Sequence, residues 1–118
     1  MAREHKTEER GIEREILDAL NREPDVFAIK YNPKAGYIPG VGVMRRDRFV
    51  IKGGSDIFVF KKPAKFMAIE VKTPEARKLR DSNMSLEQKG FFSKLDRLGF
   101  RSHIASSREE ALALVRSL

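Results

Sequence analysis

Asp56, Glu70 and Lys72 are the residues whose types and spacing could do chemistry together. Glu70 and Lys72 are two apart in Glu70-Val71-Lys72, so on a strand their side chains leave the same face. Asp56 closes the run Gly54-Ser55-Asp56. Between the two acids, Lys61-Lys62-Pro63-Ala64-Lys65 is polar, carries a proline and reads as a turn. A hairpin symmetric about Pro63 sets Asp56 opposite Glu70, and directly opposed residues have β-carbons about 4.5–5.5 Å apart. Two carboxylates that close repel. A hard cation such as Mg²⁺ accepts oxygen ligands of this kind and removes the repulsion.

Glu70 lies within the apolar run Met67-Ala68-Ile69-Glu70-Val71, where a carboxylate is costly unless paired or metal-bound. A plain salt bridge to Lys72 or an arginine is the structural alternative. Beside a metal-bound carboxylate, the Lys72 ammonium can orient an attacking water and stabilise charge developing on a phosphoryl oxygen. Otherwise it is a strand-end lysine. Asp56 taken singly is an ordinary turn aspartate. Gln88 stands three residues after Ser85, the spacing of a capping box, and from the first helical turn it can also reach a strand end. Glu9 is expected in the first turn of the first helix, where the macrodipole favours an acid.

Composition narrows the options. The chain has 118 residues, the size of one domain. It has no cysteine and only His5 and His103, so thiolate sites are excluded and a zinc site is disfavoured. No apolar run approaches the roughly 20 residues of a membrane span. The charged start Met1-Ala2-Arg3-Glu4-His5-Lys6 does not read as a signal peptide, so an intracellular, cytoplasmic protein is expected. The formal charge of +7 favours a polyanionic partner, nucleic acid first. Basic residues cluster around the acids: Arg45, Arg46, Arg48 and Lys52; Lys61, Lys62 and Lys65; Arg77, Lys78 and Arg80. No Ser-His-Asp grouping and no phosphate-loop lysine follow from the sequence.

The elements that must position these groups follow from periodicity. Glu8 to Asn21 reads as a helix with Ile12, Ile16, Leu17 and Leu20 inward and Thr7 as its cap. Strands are expected at Val26–Tyr31, Phe49–Ile51, Ile57–Phe60, Phe66–Val71 and Phe100–Ala105. Asn32 to Asp47, with three glycines and two prolines, reads as a long binding loop. Thr73 to Met84 reads as a basic loop. Ser85 opens a helix burying Leu86, Phe91, Phe92, Leu95 and Leu98, with Gly99 closing it. Ser107-Arg108-Glu109-Glu110 reads as a capping box opening the last helix. The order αβββαβα predicts an α/β domain with one mixed sheet flanked by helices.

An acid-bearing helix, then Asp, then Glu-x-Lys, then Ser-x-x-Gln resembles the PD-(D/E)xK nucleases, and within them the VRR-NUC domain family in its small stand-alone phage and bacterial form. Glu9-Arg10-Gly11-Ile12 looks like the family's first helix, Gly53-Gly54-Ser55-Asp56 its Gly-x-Pro-Asp motif, with Ser55 in place of proline, and Ala68-Ile69-Glu70-Val71-Lys72 its core strand. Leu86-Glu87-Gln88 resembles its glutamine helix and His103-Ile104-Ala105 its closing strand. The resemblance implies a restriction-endonuclease-like fold and a Mg²⁺- or Mn²⁺-dependent endonuclease acting on branched DNA such as four-way junctions. It implies Asp56, Glu70 and the Val71 carbonyl as metal ligands, with Glu9 completing the acidic cluster. Lys72 would position the water, and Gln88 would hold Lys72 or the water. Lys34, Arg45, Arg46, Arg48, Lys52, Arg77 and Lys78 would contact DNA, and symmetric cleavage of a junction would call for a homodimer. A non-catalytic nucleic-acid-binding module on the same fold, or a restriction-type enzyme cutting linear duplex, are the alternatives.

Overall fold

The computed structural model describes residues 2–31, 37–38, 42–43, 56–78 and 84–118. Helix α1 (Ala2–Leu20) leads into β1 (Val26–Lys30), followed by two short strands, β2 (Tyr37–Ile38) and β3 (Gly42–Val43). The hairpin β4 (Ile57–Lys61) and β5 (Lys65–Val71) comes next, then a single-turn helix α2 (Pro74–Arg77). Helix α3 (Leu86–Arg97), strand β6 (Arg101–Ala105) and helix α4 (Arg108–Arg116) complete the chain. The four-stranded sheet has the order β1-β4-β5-β6, and β2 pairs with β3 in a separate two-stranded sheet. β1, β4 and β5 are antiparallel, and β6 runs parallel to β5 after the crossover through α3. This is the expected α/β domain with a mixed sheet flanked by helices, with the β2–β3 pair and α2 added.

Alternation along the strands divides the sheet into two unlike faces. Ala28, Ile57, Val59, Met67, Ile69, Val71 and Ala105 point to one side, where Ile16 and Leu20 of α1 and Ala111 and Val115 of α4 complete a dry core. Asn21, just past α1, ties that helix to the sheet: its side chain accepts from Ala28 N (2.8 Å) and donates to Ala28 O (3.0 Å). The opposite face carries Phe27, Phe58, Phe60, Phe66, Glu70 and Lys72 by the same alternation. Helix α3 covers part of it, stacking Phe91 on Phe58 with centroids 6.2 Å apart.

Several expectations change. α1 starts at Ala2, so Thr7 lies inside it and Glu9 is about two turns in. The segment before Glu8 holds no glycine or proline to break the backbone hydrogen bonding, which continues back to Ala2. Residues 74–77 of the expected loop form α2, because the Thr73 side chain accepts from Ala76 N and Pro74 occupies a position where no N–H is needed. Leu86 and Leu98 are exposed, at 83% and 73%, rather than inward. Leu86 lies about 140° round α3 from buried Phe91, on the side turned away from the sheet, and Leu98 is the C-cap just past the helix. Gly99 has φ +85°, one residue past the Leu98 cap, where a left-handed backbone ends the helix. At α4 the Ser107 hydroxyl accepts from Glu110 N, but the Glu110 carboxylate accepts from Ser106 N instead of closing the box at Ser107. The expected strand Phe49–Ile51 lies outside the described residues.

Truncating the core and the exposed end of α3 separates these roles. Ile69→Ala is expected to cost about 2–5 kcal/mol in urea unfolding. Leu86→Ala should stay within about 0.5 kcal/mol of the native chain.

Candidate functional site

The hairpin register delivers the acid pair. Ile57 pairs with Ile69 and Phe58 with Ala68, so the next step places Asp56 across from Glu70. Asp56 is held at two points: its carbonyl accepts from Tyr31 N (2.8 Å) and its Oδ2 from Val71 N (2.8 Å). The first bond ties it to the end of β1 and the second to the end of β5. The end of β5 is fixed in turn by Lys72 N donating to Ala105 O of β6 (3.1 Å).

Glu70 is 3% exposed. Its Oε1 accepts from Gln88 Nε2 (2.6 Å) and stands 3.9 Å from Lys72 Nζ. Gln88 reaches it because the capping box at Ser85 is complete, with Ser85 N donating to Gln88 Oε1 and Gln88 N to Ser85 Oγ. The same amide thus closes the helix start with its oxygen and clamps Glu70 with its nitrogen. Sequence reasoning gave Gln88 to Lys72 or a water; the bond found is to Glu70.

Glu70 Oε2 is buried and meets no donor among the described residues when both acids are ionised. The two carboxyls lie within hydrogen-bonding reach, so one proton between them satisfies the pair. Burial, and next the Asp56 charge, push the Glu70 carboxyl up to about 9, against the pull of Lys72. Burial also raises Asp56, opposed by the Val71 N–H and reinforced by Glu13. Lone pairs without donors, between oxygen ligands, suit a hard cation as well as a proton. Mg²⁺ keeps several waters and needs only one or two carboxylates from protein.

Asp56 and Val71 open on a cavity of about 180 Å³ walled by Glu9, Arg10 and Glu13 of α1 with Lys30 and Tyr31. Glu9 and Glu13 are four apart, so α1 turns both toward the cavity. Glu13 bonds Lys30 at 3.0 Å. Glu8, by contrast, is solvent-exposed. Among the described residues no three acidic or histidine side chains gather closely enough to hold a metal ion, so Glu9 belongs to the wall and not to the pair. Lys30 and Tyr31 escaped sequence reasoning; only the β1 register brings that strand end beside Asp56.

Of the basic residues expected on DNA, Lys34, Arg45, Arg46, Arg48 and Lys52 lie outside the described residues. Arg77 grips both carboxylate oxygens of Glu110. Lys78 is exposed at the end of α2. No helix among the described residues is long and apolar enough to cross a membrane. No protein-family model, curated protein or solved structure matches this chain.

The raised acids have a consequence for stability. Folded Glu70 binds its proton more tightly than an ordinary glutamate at 4.5, and so does Asp56 relative to its own ordinary value. The stability they contribute is present at low pH and is lost as pH rises from about 4.5 through about 9. In chelator, the thermal midpoint should therefore fall over that range, and Glu70→Gln should flatten the fall. Added Mg²⁺ should raise the midpoint more at pH 8 than at pH 6, because it must displace the proton. A Mg²⁺ effect independent of pH, with no flattening in Glu70→Gln, is the contrary result.

Proposed function

We propose that this chain is a metal-dependent phosphodiester hydrolase acting on DNA. The observation that carries the reading is the donorless oxygen of buried Glu70, beside Asp56 and within 3.9 Å of the Lys72 ammonium on its other oxygen. Asp56 and Glu70 would hold Mg²⁺ or Mn²⁺, with the Val71 carbonyl as a further oxygen and Glu9 acting through water from the cavity wall. Such an ion supplies Lewis acidity at the phosphoryl group and a more acidic water.

The chain's own residues do the rest. Gln88 fixes the rotamer of Glu70 so that one oxygen stays turned to the site. Val71 N–H does the same for Asp56. Lys72, largely buried with its ammonium at the mouth of the pair, orients a water and favours negative charge on the phosphoryl oxygens. The net charge of +7 draws a polyanion to the surface. The order Glu9, Asp56, Glu70-x-Lys72, Gln88 supports assignment to the VRR-NUC type of PD-(D/E)xK nuclease, and with it a preference for branched DNA and a two-fold assembly.

A non-catalytic DNA-binding module is the second reading, favoured by the lack of a third acid in the pair among the described residues. One panel separates them: labelled linear, flapped and four-way DNA, with Mg²⁺ or chelator. Cleavage that requires Mg²⁺ and falls at least about a hundredfold in Glu70→Ala and in Lys72→Ala is expected. Binding without cleavage, unchanged in Glu70→Ala, supports the module. Cuts at defined sites in linear duplex support a restriction-type enzyme, and cutting that persists in chelator overturns the metal mechanism.

A further inference from the structure

The face of the sheet that carries Glu70 holds a second feature at its opposite end. Phe27, Phe60 and Phe66 stand in one register row across β1, β4 and β5, and Phe100 extends the row beside β6. The rings touch in sequence, with centroids 6.2, 5.4 and 5.6 Å apart. Three of them are open to solvent: Phe27 at 59%, Phe60 at 41% and Phe100 at 42%. Helix α3 meets this face at the Phe58 and Glu70 end, through Phe91 and Gln88. Exposed rings in an unbroken line are not needed by the core, which lies on the other side of the sheet.

Lysines border the row. Phe27, Phe60 and Phe66 share an open groove with Lys62 and Lys65, and Phe66 and Phe100 share a second groove with Lys65. Lys62 and Lys65 are exposed on the hairpin turn. A chain of net charge +7 resists association with its own copy through a lysine-edged patch, and the same charge attracts a polyanion. A polyanion that also offers flat apolar faces is a nucleic-acid strand with unpaired bases. Aromatic side chains beside a basic groove are how single strands are held without sequence preference. Paired bases keep their faces stacked within the duplex and cannot use the rings.

We propose that the Phe27-Phe60-Phe66-Phe100 row is a stacking platform for unpaired DNA, with Lys62 and Lys65 on the phosphates. The choice of DNA over RNA rests on the hydrolase reading; the stacking itself does not. The row crosses β5 four residues before Glu70, about 13 Å along the strand. A single-stranded arm held there lies on the same face as the acid pair. The preferred substrate would then carry an unpaired segment next to the bond to be cut.

Anisotropy with labelled strands of one length, all in chelator, tests this apart from cleavage. The native chain should bind oligothymidine about tenfold more tightly than an abasic strand of the same backbone. Phe27→Ala with Phe100→Ala should abolish that preference while leaving duplex binding unchanged, in a chain that still unfolds cooperatively above the assay temperature. Phe27→Tyr with Phe100→Tyr should keep it. Equal binding of abasic and thymidine strands by the native chain overturns the proposal. So does a parallel loss of duplex binding in the alanine variant, or sedimentation as a dimer that the alanine variant splits. Tighter binding of oligouridine than of oligothymidine overturns the assignment to DNA. Absence of metal-dependent cleavage leaves this test intact and counts against the hydrolase reading alone.

Discussion

Two carboxylates held face to face, with one oxygen lacking a donor, is the constraint around which this structure is arranged. Carboxylates do not settle into such a position by attraction. Asp56 is drawn in by the Val71 N–H and anchored through its carbonyl to Tyr31, while Glu70 is clamped by Gln88 and faced by Lys72. These four partners come from three places: the end of β1, the end of β5, which supplies both Val71 and Lys72, and the first turn of α3. The strand ends are held in place by a core on the far side of the sheet, where Ile57, Ile69 and Val71 are almost wholly buried. The close approach is thus maintained by packing that has no part in it, and the proton that Glu70 holds up to about pH 9 relieves the repulsion.

The two faces of the sheet divide the work. The α1 and α4 side is aliphatic and dry, and it supplies rigidity. The α3 side is aromatic and only partly covered, with the acids at one end and the open phenylalanine row at the other. Strand alternation makes this division possible within single short strands, since Ile69 and Glu70 are neighbours in sequence yet serve opposite faces. β5 therefore serves as both the central core strand and the carrier of the site.

Much of this was legible in the residues. The hairpin register followed from a single proline-bearing turn and from the rule that opposed residues sum to a constant, and Asp56 met Glu70 as the spacing required. The Ser85–Gln88 capping box was readable because it is a local bond between residues three apart. Glu9 was placed wrongly in the first turn because the charged segment before it has no apolar period and gave no reason to extend the helix. Leu86 is exposed because it lies about 140° round α3 from Phe91, and Leu98 because the helix has ended there, so being apolar near a helix end did not make either residue inward.

The sequence by itself determined the alternation that puts Glu70 and Lys72 on one face, the turn that opposes Asp56 to Glu70, and the element order that implies a mixed sheet. These are short-range facts, set by backbone geometry over a few residues. Tertiary structure alone decided that Gln88 clamps Glu70, that Glu13 and Lys30 join the cavity wall, and that four phenylalanines from separated segments line up in one row. Each of those depends on which elements become neighbours, and neighbours distant in the chain are chosen by the burial of the whole core, to which no local pattern has access.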